Sequence, residues 1–308
     1  MAGGRRPPEF FLYLPQMQME MGAVVDRARA AEAAGFTGIA FMDHLAPPRA
    51  GTAPLWEAVV TATWVLARTE RLLVGHLVLC DSLRHPAVLA KAAVTLDLAS
   101  GGRFELGLGS GSVPGELAAF GVSGDTAAGR TRRLGETLEV VRALWSGEPV
   151  DFEGEYFRLD GARQLPVPGR AIPIVVGGSG PGTLELARRH GTWWNLPVTD
   201  LDRLGELAGR VAPARVSTQH LVGFVAEASA RPEVEAVTAR RFGGLRSAPL
   251  VGDGPELARS FGALAERGVE RFYVWFSDFA TPETLARFGT SVIGALGGVG
   301  AGGSGPVR

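Results

Sequence analysis

An acid and a group that titrates near neutrality stand side by side at Asp43 and His44, in the run FMDHL that ends an apolar stretch. A histidine can donate or accept a proton or hydrogen-bond a reacting carbonyl, and a nearby carboxylate can fix which ring nitrogen carries the hydrogen. Neighbours on an extended chain point to opposite faces, so spacing alone equally allows an ordinary loop pair. Three other places put polar or flexible residues just after an apolar stretch. His76-Leu77-Val78-Leu79-Cys80 leads to Ser82, Arg84, His85 and Pro86. Its residue types read as a strand followed by a capped helix, with Arg84 free to pair with a carboxylate at a rim. In GRFELGLGSGSVPGE, Gly107, Gly109 and Gly111 alternate before Glu116; such glycines suit either close approach of backbone to a ligand or a barrel corner. IPIVVGGSGPGTLELARRHG runs a strand into Gly177-Gly178-Ser179-Gly180-Pro181 and then a helix. Free N–H groups and the positive end of the helix dipole would receive an anion there, with the Ser179 hydroxyl as a further donor.

The elements that must position these places alternate between strand and helix. Strands read at residues 9–14, 38–42, 72–79, 103–108, 172–176, 192–196 and 271–276, with 220–225 extended. Helices read at 21–34, stopped by Gly35, and at 54–68, 86–99, 132–145, 182–190, 201–210, 232–241, 256–266 and 282–296. Glycines, serines and Pro114 fill a long loop over 109–129, and 150–159 reads as a short hairpin outside the repeat. About eight βα units require a parallel sheet covered on both faces. No GxGxxG with an acidic partner opens the first βα turn, so a closed barrel is favoured over an open doubly wound sheet. Barrel chemistry sits at the C-terminal strand ends, where all four places fall. The glycine-rich turn follows strand five, earlier than the usual barrel phosphate site after strands seven and eight.

Composition narrows the function classes. The 308 residues are 46% hydrophobic and 20% charged, a globular balance with a large core available. A formal net charge of -1 leaves no electrostatic footprint for nucleic acid or an anionic membrane, so neither partner is expected. One cysteine, Cys80, excludes an internal disulfide and a thiolate metal cluster, and no metal site is expected. The opening MAGGRRPPEFFLYL lacks a signal-length apolar stretch, and no apolar run reaches ~18 residues. A cytoplasmic protein is expected, with 8–296 as a single domain and 297–308 as a disordered glycine-rich tail. Trp56, Trp193 and Trp194 suit either an aromatic pocket or core packing.

The segments RHPAVLAKAAVTLDLASGGRFELGLGSG, GRTRRLGETLEVVRALWSGEPVDFEGEYFRLDGA and IPIVVGGSGPGTLELARRHG follow one another in an order that resembles the luciferase-like flavin-dependent oxidoreductases. The resemblance extends over about 8–296. It implies an α/β protein folded as a (β/α)8 TIM barrel, with an insertion after strand four and the cofactor ring in the barrel mouth. By the same resemblance His44 is the catalytic histidine, and Asp43 joins it in catalysis and in cofactor contact. A non-proline cis peptide between Leu77 and Val78 would back the ring. Gly177, Gly178, Ser179 and Gly180 would hold the phosphate, and Ser110, Gly111 and Glu116 would lie beside cofactor tail and substrate. Two departures stand out: Thr192 replaces the usual acid before the tryptophan pair, and Ser112 stands where the family's sugar-phosphate dehydrogenases carry glutamate. The second argues against sugar-phosphate oxidation. The Asp-His pair followed directly by a loop resembles the deazaflavin branch. The implied activity is hydride transfer between reduced coenzyme F420 and a small unsaturated or carbonyl-type substrate. The alternatives are an FMN-dependent monooxygenase using O2, with reduced cofactor supplied by a separate flavin or deazaflavin reductase system, and a non-catalytic flavin-binding or partner-binding barrel. Analogy also implies a homodimer through helices two and three.

Overall fold

A computed structural model describes residues 6–48, 51–122, 125–245 and 247–297. All but the first residue of the expected tail lies outside the described residues. The chain opens with β1 (Glu9–Tyr13), α1 (Met21–Ala33), β2 (Gly38–Phe41) and α2 (Ala58–Leu66). The third barrel strand comes in two pieces, β3 (Leu73–His76) and β4 (Leu79–Cys80), followed by α3 (Pro86–Ala99) and β5 (Leu106–Gly109). An insertion then carries α4 (Pro114–Ala119), α5 (Ala127–Leu144) and the antiparallel pair β6 (Val150–Glu153) and β7 (Arg158–Ala162). The barrel resumes with β8 (Ile174–Gly177), α6 (Pro181–His190), β9 (Trp193–Leu196), α7 (Leu204–Leu207) and β10 (Arg215–Phe224). It ends with α8 (Arg231–Phe242), β11 (Leu250–Gly252), α9 (Gly254–Glu266), β12 (Arg271–Phe276) and α10 (Pro282–Phe288).

Every barrel pairing is parallel, in the order β3-β2-β1-β12-β10-β9-β8-β5-β4. Since β3 and β4 belong to one strand, eight strands form a nearly closed ring, and an isolated bridge from Val74 to Phe104 helps join its ends. The expected TIM barrel, the insertion after strand four and its hairpin are all present. Strands covered on both faces are apolar along their whole length. Phe10, Leu12, Ile39, Phe41, Val74 and Leu108 pack outward among the helices, while Phe11, Tyr13, Ala40, Met42 and Tyr273 fill the interior. At the strand starts the interior is closed by Arg271, 1% exposed, which pairs with Glu9 and Glu105 at 2.6 Å each. Its guanidinium lies 4.0 Å from the Phe11 ring and 3.9 Å from Trp193. Two carboxylates and two aromatic faces make this buried cation tolerable.

Several boundaries differ from the sequence expectation for local reasons. The expected strand 220–225 is the ten-residue β10, because Ser217, Thr218 and Gln219, polar yet buried or half-buried, belong to the ladder. Helix α2 begins after Glu57, whose side chain caps Val60 N–H, while Leu55 bridges to Met17 instead. Thr126 caps Gly129 N–H and starts α5 five residues earlier than expected, at Ala127 rather than 132. The expected helix 201–210 breaks into 3-10 turns around the four-residue α7. The last helix passes into a π turn over Gly289–Ile293, where a Cβ on Gly289 would lie 2.1 Å from the Ala34 carbonyl oxygen.

Gly107 has the tightest requirement in the barrel: a Cβ there would lie 1.9 Å from the His76 carbonyl oxygen. Backbone cannot swing aside as a side chain can. Gly107→Ala is therefore expected to destabilise the protein by at least about 2 kcal/mol. The surface control Gly22→Ala, whose Cβ would meet nothing within 4 Å, is expected to be neutral or stabilising by ~0.5 kcal/mol in helix α1. Urea unfolding of the pair checks this.

Candidate active site

The C-terminal strand ends surround a cavity of about 480 Å³. Strand β2 delivers Asp43 and His44 to its wall, as their position after the strand implied. Asp43 is 6% exposed, and both of its oxygens are engaged. Oδ2 accepts from Cys80 N–H at 2.8 Å and Arg84 Nη1 at 2.6 Å, and Oδ1 accepts from Arg84 Nη2 at 3.0 Å. Arg84 also donates to Glu57. Burial disfavours the Arg84 charge, but the hydrogen bond and charge of Asp43, helped by Glu57, hold it above its ordinary value. Glu57 is raised by burial and then carried below its usual range by the Val60 N–H and by Arg84. The rim carboxylate anticipated for Arg84 is thus Asp43 itself, and the pair anchors the loop after β2 to the strand beside it.

His44 does not lean on its sequence neighbour. Its Nδ1 lies 2.7 Å from Glu116 Oε2, while Glu116 Oε1 accepts from Leu45 N–H at 2.5 Å and Ala46 N–H at 2.9 Å. Glu116 comes from α4, a helix that the glycine-rich composition of 109–129 concealed. The side chains of His44 and Glu116 are 17% and 11% exposed. The ring faces both the cavity and a carboxylate.

The peptide between Leu77 and Val78 is cis, and both residues line the cavity. Behind them, a Cβ at Gly109 would lie 2.5 Å from Val78 Cγ2, and one at Gly177 would lie 3.1 Å from Val78 Cγ1. Gly107 and Gly109 thus admit the third strand at close approach, and Gly109 also lines the cavity. Gly111 has φ +83, and a Cβ there would press on Cys80 Sγ at 3.0 Å. Ser110 and Gly111 line the cavity, and the Ser110 carbonyl accepts from Arg130 Nε at 3.0 Å.

Gly177 to Gly180 form the opposite wall. Gly178 N–H donates to Asn195 O, and Trp194 Nε1 donates to Gly178 O at 2.7 Å. Helix α6 starts at Pro181 without a side-chain cap on its first turn. The Gly182 and Thr183 amides therefore lack helical partners and can receive an anionic group. Ser179 lines the cavity, and its hydroxyl donates to Asp200 Oδ2 at 3.0 Å, a charged and hence stronger acceptor. Sequence reasoning missed Tyr13, Arg130, Asn195 and Gln219 in the wall. Asn195 and Gln219 carried a usable signal, since each is a polar residue inside a barrel strand. Trp193 and Trp194 are 2% and 0% exposed and belong to the core, not the cavity. Trp56 is half-buried against the core and donates to Met19 O.

The fold and the cavity at its strand ends are those of a TIM-barrel enzyme, and the comparisons with known proteins say of which family. The chain belongs to the family described as Luciferase-like monooxygenase, which matches residues 7–237. Over 177 residues it is 39% identical to an F420-dependent glucose-6-phosphate dehydrogenase of Kineococcus radiotolerans, covering 56% of this chain and 52% of that protein. Over 205 residues it is 35% identical to an F420-dependent hydroxymycolic acid dehydrogenase of Mycobacterium tuberculosis, covering 66% and 57%. The chain thus spans little more than half the length of these curated relatives. An F420-dependent secondary alcohol dehydrogenase solved with an F420-acetone adduct superposes with a TM-score of 0.81 at 20% identity, over 94% of this chain and 99% of that one. That likeness establishes the fold. Among the described residues no helix is long and apolar enough to cross a membrane.

His76, at the end of β3, is 1% exposed, with Nε2 3.2 Å from Ala58 O and Nδ1 without a hydrogen-bond partner. Burial pushes it down from 6.5 to about 4, against the opposing pull of Asp43 and the Ala58 carbonyl. Burial likewise lowers His220 to about 3. Both folded values lie below the unfolded one, so the unfolded chain binds the extra protons in between, and stability falls as pH drops below 6.5. Each histidine is expected to remove ~2 kcal/mol between about pH 7 and about pH 5. Urea unfolding free energies at the two pH values measure the loss, and equal values would contradict this account of the two rings.

Proposed function

We propose that this oxidoreductase transfers a hydride between coenzyme F420 and a small uncharged substrate of alcohol, carbonyl or unsaturated type, with His44 moving the accompanying proton. The observation that carries this reading is the convergence on one cavity of His44, Leu77 and Val78, and the uncapped start of α6. These features fit a planar ring with a phosphate-bearing side chain: Leu77 and Val78 would back the ring, and the backbone amides at the start of α6 would hold the phosphate. The bound deazaflavin would supply two-electron hydride chemistry. The protein's own residues do the rest. Asp43, held by Arg84 and Cys80 N–H, keeps the β2 loop in place, and His44 faces the cavity from that loop.

Charge supports both finer choices. Among the described residues Arg130 is the one arginine or lysine lining the cavity, and two of its donor nitrogens are spent on the Ser110 and Asp125 carbonyls. With Ser112 neutral and Asp43 and Glu116 nearby, a phosphorylated sugar would meet carboxylates rather than a cation. Asp200, beside Ser179, disfavours a doubly charged phosphate monoester such as that of FMN at this turn. The FMN-dependent monooxygenase remains the second reading, because the family as a whole bears that description. Val60 and Trp64, 65% and 45% exposed, stand one turn apart on α2; they suit the homodimer contact implied by resemblance, and the single buried cysteine suits a cytoplasmic setting.

Titrating purified protein with F420 and with FMN, read by cofactor fluorescence, is expected to give at least about tenfold tighter binding of F420, equivalent to ~1.4 kcal/mol. Tight FMN binding without F420 binding would reverse the choice. His44→Ala is expected to lower turnover of any accepted substrate by on the order of 10²-fold or more while leaving F420 affinity within a few-fold. Val60→Asp with Trp64→Glu is expected to yield a monomer by light scattering, and an unchanged mass for the wild type and the double variant would discard the α2 contact.

A further inference from the structure

We infer that Glu116 is the positioning residue for His44, fixing the imidazole as the Nδ1–H tautomer so that Nε2 is the nitrogen that exchanges a proton with substrate. The inference rests on the proposed role of His44 for its consequence in turnover, but its geometry stands apart from that role. An ionised carboxylate is an acceptor only, so a Glu116 oxygen 2.7 Å from Nδ1 requires the hydrogen on Nδ1. The other Glu116 oxygen holds the backbone N–H groups of Leu45 and Ala46 at 2.5 and 2.9 Å. All three contacts fall within the segment 44–46, so a single side chain sets both the place of this loop and the orientation of the ring it carries.

The obvious alternative partner is excluded by its own bonds. Asp43, adjacent in sequence, has both oxygens on Arg84 and Cys80 N–H. The imidazole is therefore governed by a residue 72 positions away, on the insertion helix α4. During oxidation of an alcohol, the hydroxyl proton would pass to Nε2 while the carbinol C–H bond gives its electron pair and hydrogen to the oxidised cofactor. The C–O bond becomes a carbonyl, the cofactor is reduced, and the ring becomes an imidazolium beside the Glu116 charge. Glu116 itself takes no proton. Reduction of a carbonyl runs the same steps backward.

The chain has five histidines, so the ring state can be read directly. Long-range ¹H–¹⁵N correlation spectra of the ¹⁵N-labelled protein, without cofactor and at mildly alkaline pH, distinguish protonated from unprotonated ring nitrogens, and His44→Asn assigns the signal. The wild type is expected to carry the hydrogen on Nδ1; a hydrogen on Nε2 overturns the proposal without any variant. In Glu116→Gln the amide oxygen can keep the Leu45 and Ala46 contacts while its NH2 donates to Nδ1, so the hydrogen is expected to move to Nε2. Turnover should then fall by on the order of 10²- to 10⁴-fold, as when an orienting carboxylate becomes an amide in a catalytic triad, with F420 affinity changed less than about threefold. A Gln variant with wild-type turnover and an unchanged ring signal overturns the proposal. If the ring signals behave as expected but His44→Ala retains turnover, the positioning by Glu116 stands and the proton role of His44 falls.

Discussion

The architecture of the mouth depends on how closely the third barrel strand approaches its neighbours. The His76 carbonyl occupies the space that a Gly107 side chain would need, and the Val78 methyl groups occupy the space over Gly109 and Gly177. Three strands thus meet without intervening side chains at the end where β3 gives way to β4. Only then can the 77–78 peptide protrude into the barrel as one wall of the cavity. The same approach brings Cys80 N–H within reach of Asp43, and so ties the loop after β2 to the strand beyond it. Packing and site geometry are one constraint here.

Charge is distributed in two contrasting ways along the barrel axis. At the strand starts, Arg271 is buried among Glu9, Glu105 and aromatic faces, an arrangement closed to ligands that fixes the strand ends relative to one another. At the strand ends, the charged groups form separate local pairs around open space: Asp43 with Arg84, Glu116 with the His44 loop, and Arg130 with backbone carbonyls. Such pairing leaves the cavity walls ordered before any ligand arrives, which lowers the cost of binding. It also leaves the first turn of α6 without a side-chain cap beside the cavity.

Much of this was legible in the sequence, and what was not has identifiable causes. Alternation of apolar runs with helical periods is a strong signal, and it located the eight barrel strands and the hairpin. The cis peptide between Leu77 and Val78 that the resemblance implied is present, and the glycine turn at 177–180 lines the cavity. Three things were hidden. Polar Ser217, Thr218 and Gln219 masked the first half of β10, because what makes them acceptable there is tertiary: Ser217 donates to Trp194 O, Thr218 bonds the His220 ring and Gln219 faces the cavity. Glycines around Pro114 masked α4, whose six residues are too few to show a period. The partner of Asp43 could be guessed only as far as Arg84 seeking some carboxylate, since pairing between loops is a tertiary fact.

The hidden helix matters most for chemistry. A barrel strand can present an imidazole at the mouth, but on extended chain its sequence neighbour faces away from it. The carboxylate that orients the ring must therefore come from another element, and in this fold the nearest element free of the barrel's pairing is the insertion after β5. Glu116 reaches from α4 to three successive residues of the β2 loop, so the ring is correctly held only when the insertion is docked. If His44 moves the proton as proposed, the insertion is part of the catalytic apparatus rather than an ornament on the barrel. Its loops are also where sequence can vary without disturbing the ladder. On the proposed reading, the substrate could therefore change through the insertion while Leu77 and Val78, the start of α6 and His44 stay with the barrel.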